Sequence, residues 1–320
     1  TFDGWNNSGI IGKGSTGDKT FTATWTPNQN TPITVEYYIQ PVKVNAEQSE
    51  YTLYSTDNTQ VGTSDADREV TPIEIAGFKT PDKQTKKVNA DGTTVFDFYY
   101  TRNEYTVTFD TDGGSAIGNI TALYEADITA PANPTKTGYT FKEWTPALAQ
   151  TMPVGGQSVK AVWTANTYKV TYDYSVPENV TVTHTGNVPT AHTYGTATPV
   201  SDPERAGYTF AGWIINDSGA AVKDLTLAAD GYTADITLKA TWTADEQNYT
   251  VIYFYEALDG AYVETNRTTD NKAVTDSTVT LTPAATQTGF TLNTEKSVLT
   301  GVVPVPGTTL ELSVYYDRNE

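Results

Sequence analysis

One phrase repeats along the chain and limits what it can fold into. GYTFKEW at 138–144 returns as GYTFAGW at 207–213, and the opening TFDGW is the tail of the same phrase. Each copy is followed by a second tryptophan in a Thr-framed stretch: ATWT ending at Thr26, AVWT ending at Thr164 and ATWT ending at Thr243. The six tryptophans thus fall into the pairs Trp5 and Trp25, Trp144 and Trp163, and Trp213 and Trp242, spaced by 20, 19 and 29 residues. Self-similarity at this scale means small supersecondary units in tandem, each too small to bury its apolar face without help from its neighbours. The longer third spacing predicts a hairpin extension around Ile215 to Asp230.

Full copies of this first unit open on an alternating stretch, Tyr105 to Phe109 in one and Tyr168 to Tyr172 in the other. Period two places Tyr105, Val107 and Phe109 on one face and the threonines on the other, the signature of a half-buried strand. A second kind of unit shows in ITVEYYI (33–39) against YTVIYFY (249–255), in Gly77-Phe78 against Gly289-Phe290, and in the closing stretches that end in Arg-Asn-Glu at Glu104 and Glu320. The division that follows is 1–31 (the tail of a first-type unit), 32–103 (second type), 104–165 and 166–247 (first type, the latter with the insertion) and 248–320 (second type). On this division the first unit lacks its leading strand, and the 320 residues are expected to be a window on a longer array.

Turn signals at Asp91-Gly92, Asp112-Gly113 and Asp259-Gly260 break short β-branched and aromatic runs, so the chain reads as mainly β. Pro146 to Gln150 has the pattern of a turn or two of helix, and Ala220 to Ala229 is ambiguous. Thirty-seven aromatics imply a folded core despite a net charge of -18. That acidity argues against nucleic acid, whose affinity comes from clustered Lys and Arg. No apolar run is long enough to cross a bilayer, so no membrane insertion is expected within this segment. The chain has no Cys, which excludes disulfides, thiolate metal sites and thiol nucleophiles.

Over Tyr105 to Thr164 the stretches YTVTFDTDGG, APANPTKTGYTFKEW and TMPVGGQSVKAVWT follow in an order and spacing that resemble the internalin-type B repeat, or Listeria-Bacteroides repeat. The unit at 166–247 resembles it less at its start, where SVPENVTVTHTGN replaces the Gly-Gly turn. The second unit is similar to the mucin-binding-protein-like repeat in its V-x-Y-x-Y strands, central Gly-Phe and closing Tyr-Tyr strand. Both resemblances imply a β-rich α+β class of small β-grasp-like domains in tandem as an elongated rod. They also imply extracellular placement on a bacterial cell surface, with the anchor outside the segment, a spacer or adhesive role, and no catalytic residues.

The tryptophan pairs, Trp5, Trp25, Trp144, Trp163, Trp213 and Trp242, read as structural core rather than sugar platforms, because they recur at fixed positions in every first-type unit. Asp110-Thr111-Asp112-Gly113 has the opening of a calcium loop, but position twelve is Thr121 where a bidentate Glu is needed, so a hairpin turn fits better. His184 and His192 have no third ligand at metal spacing, and no metal or cofactor is expected. Ser175, Ser201 and Ser218 lack the frame of a nucleophile elbow. Lys169 with Asp317 or Asn319 is the pairing to inspect for a Lys cross-link, although Lys in an alternating strand normally faces water. The expectation is a non-enzymatic, monomeric stalk or spacer segment. The alternative is a glycan- or mucin-binding module, whose partner would be a host or bacterial glycan, mucin or a surface protein. In that alternative the outward members of the tyrosine pairs 37–38, 99–100 and 315–316 form a shallow site.

Overall fold

The computed structural model describes residues 1–6 and 10–320. The chain divides into two compact bodies, one of Thr1–Lys136 with Phe141–Trp163 and the other of Thr137–Thr140 with Thr164–Glu320. Among the described residues there are β-strands, turns and one 3-10 turn at Gln48–Glu50, with no α-helix. Pro146 to Gln150 is therefore not helical. Its backbone is held instead by one side chain: Ala149 N–H donates to Gln157 Oε1 at 3.0 Å, and Gln157 Nε2 donates to Ala147 O at 2.8 Å. Five residues headed by Pro are too few to repay helix nucleation once a side chain offers them other partners. The Ala220 to Ala229 stretch contains the strand ends of Ser218–Val222 and the short strand Thr226–Leu227.

Four sheets share one plan. In the unit at 32–103, Thr31–Ile39 pairs antiparallel with Thr52–Gly62 on one side and parallel with Thr94–Arg102 on the other, from Ile33 opposite Thr94 to Ile39 opposite Tyr100. Thr94–Arg102 then pairs antiparallel with Phe78–Lys79. The order of hairpin strand, first strand, closing strand and third strand recurs in the unit at 104–165 as Ile120–Leu123, Glu104–Asp110, Gln157–Ala165 and Tyr139–Thr145. The unit at 166–247 repeats it with Ala191–Thr193, Thr167–Asp173, Ile236–Ala244 and Tyr208–Ile215. The last unit repeats it with Tyr262–Val274, Glu246–Glu256, Glu311–Arg318 and Phe290–Val298. Both repeat types are thus the same β architecture with different side chains.

A parallel pair requires a long crossover, which in most proteins is a helix laid on the sheet. Here the crossover is an irregular stretch with a small ribbon in it. The ribbons are Asp67–Val70 with Gln84–Lys87, Thr198–Pro199 with Thr226–Leu227, and Thr278–Thr280 with Thr300–Val302, while a single bridge joins Asp127 to Thr151. These ribbons supply the apolar cover. Val88 packs with Ile33, Val35, Phe96 and Phe98, and Met152 packs with Val107 and Val159. Leu225 and Leu227 pack with Val170, Ile236 and Leu238. The alternation that makes the strands also sorts them by face: in Thr31–Ile39 the residues Ile33, Val35 and Tyr37 are buried, whereas Pro32 is exposed.

The extra length of the third tryptophan pair is a hairpin. Tyr208–Ile215 turns through Asn216 and Asp217, both left-handed at φ 49° and 54°, into Ser218–Val222. This is the two-residue turn whose twist suits a hairpin.

The tail unit at 1–31 departs from expectation. Among the described residues Phe2–Trp5 pairs only with Ala23–Trp25, and Trp5 and Trp25 are 49% and 67% exposed. They do not form a core, because a two-stranded ribbon has no second layer to cover their faces.

Candidate functional site

Three groups of residues bear on function: the tryptophan clusters, the outward aromatics of the second-type units, and the seats where the residue after a closing strand meets the turn that follows the second strand of a hairpin.

In each first-type unit a phenylalanine three residues before the first tryptophan lies between the two indoles. Phe2 is 5.6 Å from Trp5 and 5.2 Å from Trp25. Phe141 is 5.1 Å from Trp144 and 5.7 Å from Trp163, and Phe210 is 5.3 Å from Trp213 and 5.5 Å from Trp242. Edge-on and tilted contacts of this kind favour the ring quadrupoles. Trp213 is fully buried, Trp144, Trp163 and Trp242 are half-buried, and Trp144 and Trp242 pack on the cores of their units. The second tryptophan also ties down the turn after the first strand: Trp163 Nε1 donates to Thr111 O at 3.1 Å and Trp242 Nε1 to Tyr174 O at 2.8 Å. The central phenylalanine escapes a reading that counts tryptophans, although TFDGW, GYTFKEW and GYTFAGW all carry it.

On the outer face of the unit at 32–103, Tyr38 stacks on Tyr99 at 5.1 Å and 16°, and Tyr51 stands edge-on to Tyr99 at 5.7 Å. The last unit repeats this trio as Phe254, Tyr315 and Tyr262, at 4.6 Å and 9° for the stack and 5.1 Å for the edge. Their strand neighbours Tyr37, Tyr100 and Tyr316 face inward and are buried. Each outer ring is half-buried, and stacking covers one face of it, so a ligand meets the remaining face and the edges. The Tyr38 hydroxyl donates to Glu36, and that bond pushes its pKa up to about 12. Tyr262 donates to Asp317 and is likewise pushed up to about 12, with Lys296 4.5 Å from the Tyr262 ring. The same bond, with two from Asn293 at 2.9 Å, holds the Asp317 carboxyl below its usual range. The sequence reading held that one member of each tyrosine pair faces outward, and the structure shows these to be Tyr38, Tyr99 and Tyr315. That reading missed Tyr51 and Tyr262, which belong to no pair and are brought in by the hairpin register.

The seats are built from backbone. A left-handed glycine accepts the N–H of the residue after the closing strand: Asn103 to Gly77, Asn166 to Gly138, Asp245 to Gly207 and Asn319 to Gly289, each at 2.9 Å. At the first three, the carbonyl of that same residue accepts the N–H that opens a following turn, from Tyr124 (2.8 Å), Tyr194 (2.9 Å) and Thr275 (2.9 Å). The next residue of each turn, Glu125, Gly195 or Asp276, is left-handed and donates to the crossover at Met152, Ala229 or Val303. A Cβ on Gly77 would collide with the Tyr124 ring, and one on Gly138 with the Tyr194 ring, so these positions require glycine for space as well as for φ. Arg102 lies over the rings of Phe78 and Tyr124 and holds Glu125 at 2.5 Å, with its side chain 7% exposed. Arg205 lies over Tyr208 at 3.5 Å and reaches Asp276 at 3.7 Å.

The remaining residues singled out in the sequence are held in local contacts. Asp110 Oδ1 accepts the N–H of Asp112, which is left-handed and pairs with Lys160 at 2.7 Å, so this stretch is a turn closed by an ion pair. His184 Nδ1 meets Ser201 Oγ at 3.1 Å and its Nε2 meets the Tyr174 hydroxyl at 3.0 Å. Among the described residues no carboxylate orients this ring, and burial holds its pKa below the ordinary imidazole value, which disfavours the charged form that general-base chemistry passes through. His192 is fully buried with Nδ1 on Thr198 Oγ1 at 2.9 Å. The Ser175 N–H donates to Asp173 Oδ1 at 2.8 Å, and Ser218 opens an exposed strand. Lys169 is exposed, Asp317 is engaged as described, and Asn319 Oδ1 accepts from Thr291 Oγ1 at 2.7 Å.

The Listeria-Bacteroides repeat domain, as a family model, matches residues 105–162 and 168–241, which supports the B-repeat reading of both full first-type units. The chain is also similar to two proteins of Evansella cellulosilytica whose names, both provisional, are membrane protein and Gly-rich membrane protein. The first is 28% identical over 159 residues, covering 47% of this chain and 22% of the relative. The second is 34% identical over 152 residues, covering 44% of this chain and 16% of the relative. The matched region thus spans about a fifth of the length of these relatives.

Proposed function

We propose that this segment is a non-enzymatic spacer in a bacterial cell-surface protein, in which repeat units seat on one another to limit bending. We also infer that the units at 32–103 and 248–320 are mucin-binding-protein-like repeats. The observation that carries the spacer reading is the recurrent seat: at Gly77 and Gly207 the residue after one closing strand and the turn after the second strand of the next set share backbone hydrogen bonds and a packed side chain. Such a joint needs no disulfide and leaves no slack linker. The surface placement is supported by the family match and by the names of the relatives. Limited proteolysis of the full chain tests the spacer reading. Wild type is expected to resist cleavage around Asn103 and Asp245, and Tyr124→Ala is expected to open the first of these sites. Ready cleavage of wild type at both would remove the reading.

The outer aromatic trios favour a second reading, adhesion to glycans or mucin. A glycan array on the full chain decides it. Reproducible binding that is lost in Tyr99→Ala and Tyr315→Ala establishes the module, and silence across mucin glycans leaves the spacer role alone.

A further inference from the structure

The seat at Gly289 has the same parts as the seat at Gly77. Gly289 is left-handed at φ 81°, against 85° at Gly77, and its carbonyl takes the Asn319 N–H at 2.9 Å as that of Gly77 takes Asn103. Arg318 lies 5.2 Å from the Phe290 ring, where Arg102 lies 4.9 Å from Phe78. Arg318 N–H donates to Glu256 Oε2 as Arg102 N–H donates to Gln40 Oε1. What differs is the cover. A Cβ on Gly289 meets nothing within 4 Å, Phe290 is half-buried where Phe78 is 8% exposed, and Arg318 is exposed. Beside it lies an apolar hollow of about 490 Å³ lined by Tyr255, Val263, Phe290 and Arg318, whereas in the unit at 32–103 Tyr124 packs against the core from the following unit.

We propose that Gly289, Phe290, Arg318 and Asn319 form a docking seat for the turn that follows the second strand of a Listeria-Bacteroides-type unit joined directly after Glu320. The seat at Gly77 shows what fits. Its occupant presents an aromatic ring to the glycine and phenylalanine, a backbone N–H to the asparagine carbonyl, and a carboxylate to the arginine, all from the consecutive pair Tyr124-Glu125. Among the described residues Arg318 makes no ion pair, so its guanidinium matches the acidic side of such a turn. The seat is independent of the spacer reading, because it concerns which surface takes the turn and not what the assembly is for.

The test extends the full chain by a copy of residues 105–165 placed directly after Glu320, so that the copy follows Arg-Asn-Glu as the original does. A second version inserts a flexible Gly/Ser linker before the copy. Hydrogen exchange reads the amide of the copied Tyr124. In the direct fusion it is expected to exchange at least about tenfold more slowly than in the linked version, because its N–H is bonded to Asn319. Arg318→Ala in the direct fusion is expected to erase that difference while leaving protection within the sheet of the copy unchanged. Equal exchange in the two versions, or protection indifferent to Arg318, overturns the proposal. So does a copy that fails to order in the direct fusion, since the same residues are ordered on the seat at Gly77.

Discussion

At the residue scale, the phenylalanine between each pair of indoles has a cost set by its cover. Phe210 is 8% exposed and touches both Trp213 and Trp242. Phe210→Ala is expected to destabilise its body by about 3–5 kcal/mol, the usual range for emptying a buried aromatic site. Phe2 makes the same two ring contacts but is 44% exposed, so Phe2→Ala is expected to cost under about 1 kcal/mol. Urea unfolding of both variants checks the contrast, and equal costs would show that ring contact rather than burial governs these clusters. His184 carries a pH signature. Burial beside Tyr172 and Tyr174 lowers its pKa, so the unfolded chain takes the proton first as pH falls. The stabilisation is present above the unfolded value of roughly 6.5 and is lost as pH falls through the lower folded value. His184→Gln is expected to flatten the fall in stability of the second body between about pH 7.5 and 5.5. An unchanged slope would assign the dependence elsewhere.

At the element scale, the hairpin inserted after Tyr208–Ile215 places two L-residues, Asn216 and Asp217, in the left-handed region. Glycine suits the second of these positions, and the Asp217–Lys239 pair at 3.8 Å is too exposed to offset much. Asp217→Gly is therefore expected to stabilise the second body by about 0.5–1 kcal/mol in thermal unfolding, and a lower midpoint would show that the carboxylate matters more than the backbone. The strands themselves were legible: alternation in Tyr105 to Phe109 assigned both the element and the face that carries its aromatic and apolar residues, because side chains on a strand alternate. The ribbons within the crossovers were not. Stretches such as Thr198-Pro199 and Asp67–Val70 are short and polar, and they are held by the sheet beneath rather than by their own propensity.

At the scale of the whole molecule, a net charge of -18 spread over units none of which is basic works against compactness. Raising salt from about 10 mM to 150 mM shortens the Debye length from roughly 30 Å to 8 Å. The melting midpoint of the full chain is expected to rise over that range. A fall would mean that the exposed ion pairs, such as Lys83–Glu69 and Lys160–Asp112, outweigh the repulsion. Each unit is small for an unaided core and has no disulfide, so shared surfaces matter to its stability. Arg102, 7% exposed against Glu125 and Tyr124, shows how such a surface is made.

The amino-acid sequence by itself determined the repeat order, the β class, the common face of Tyr105, Val107 and Phe109, and that one member of each tyrosine pair faces inward, because all of these follow from short-range periodicity. Only the tertiary structure decided that both repeat types share one strand order and that a phenylalanine joins each tryptophan pair. It also decided that the tryptophans of residues 1–31 stay in water and that the linker residues are hydrogen-bonded seats. Those features depend on residues distant in the chain meeting across a sheet, as Gly77 meets Tyr124, and the position of a glycine in a sequence does not say which ring will lie against it.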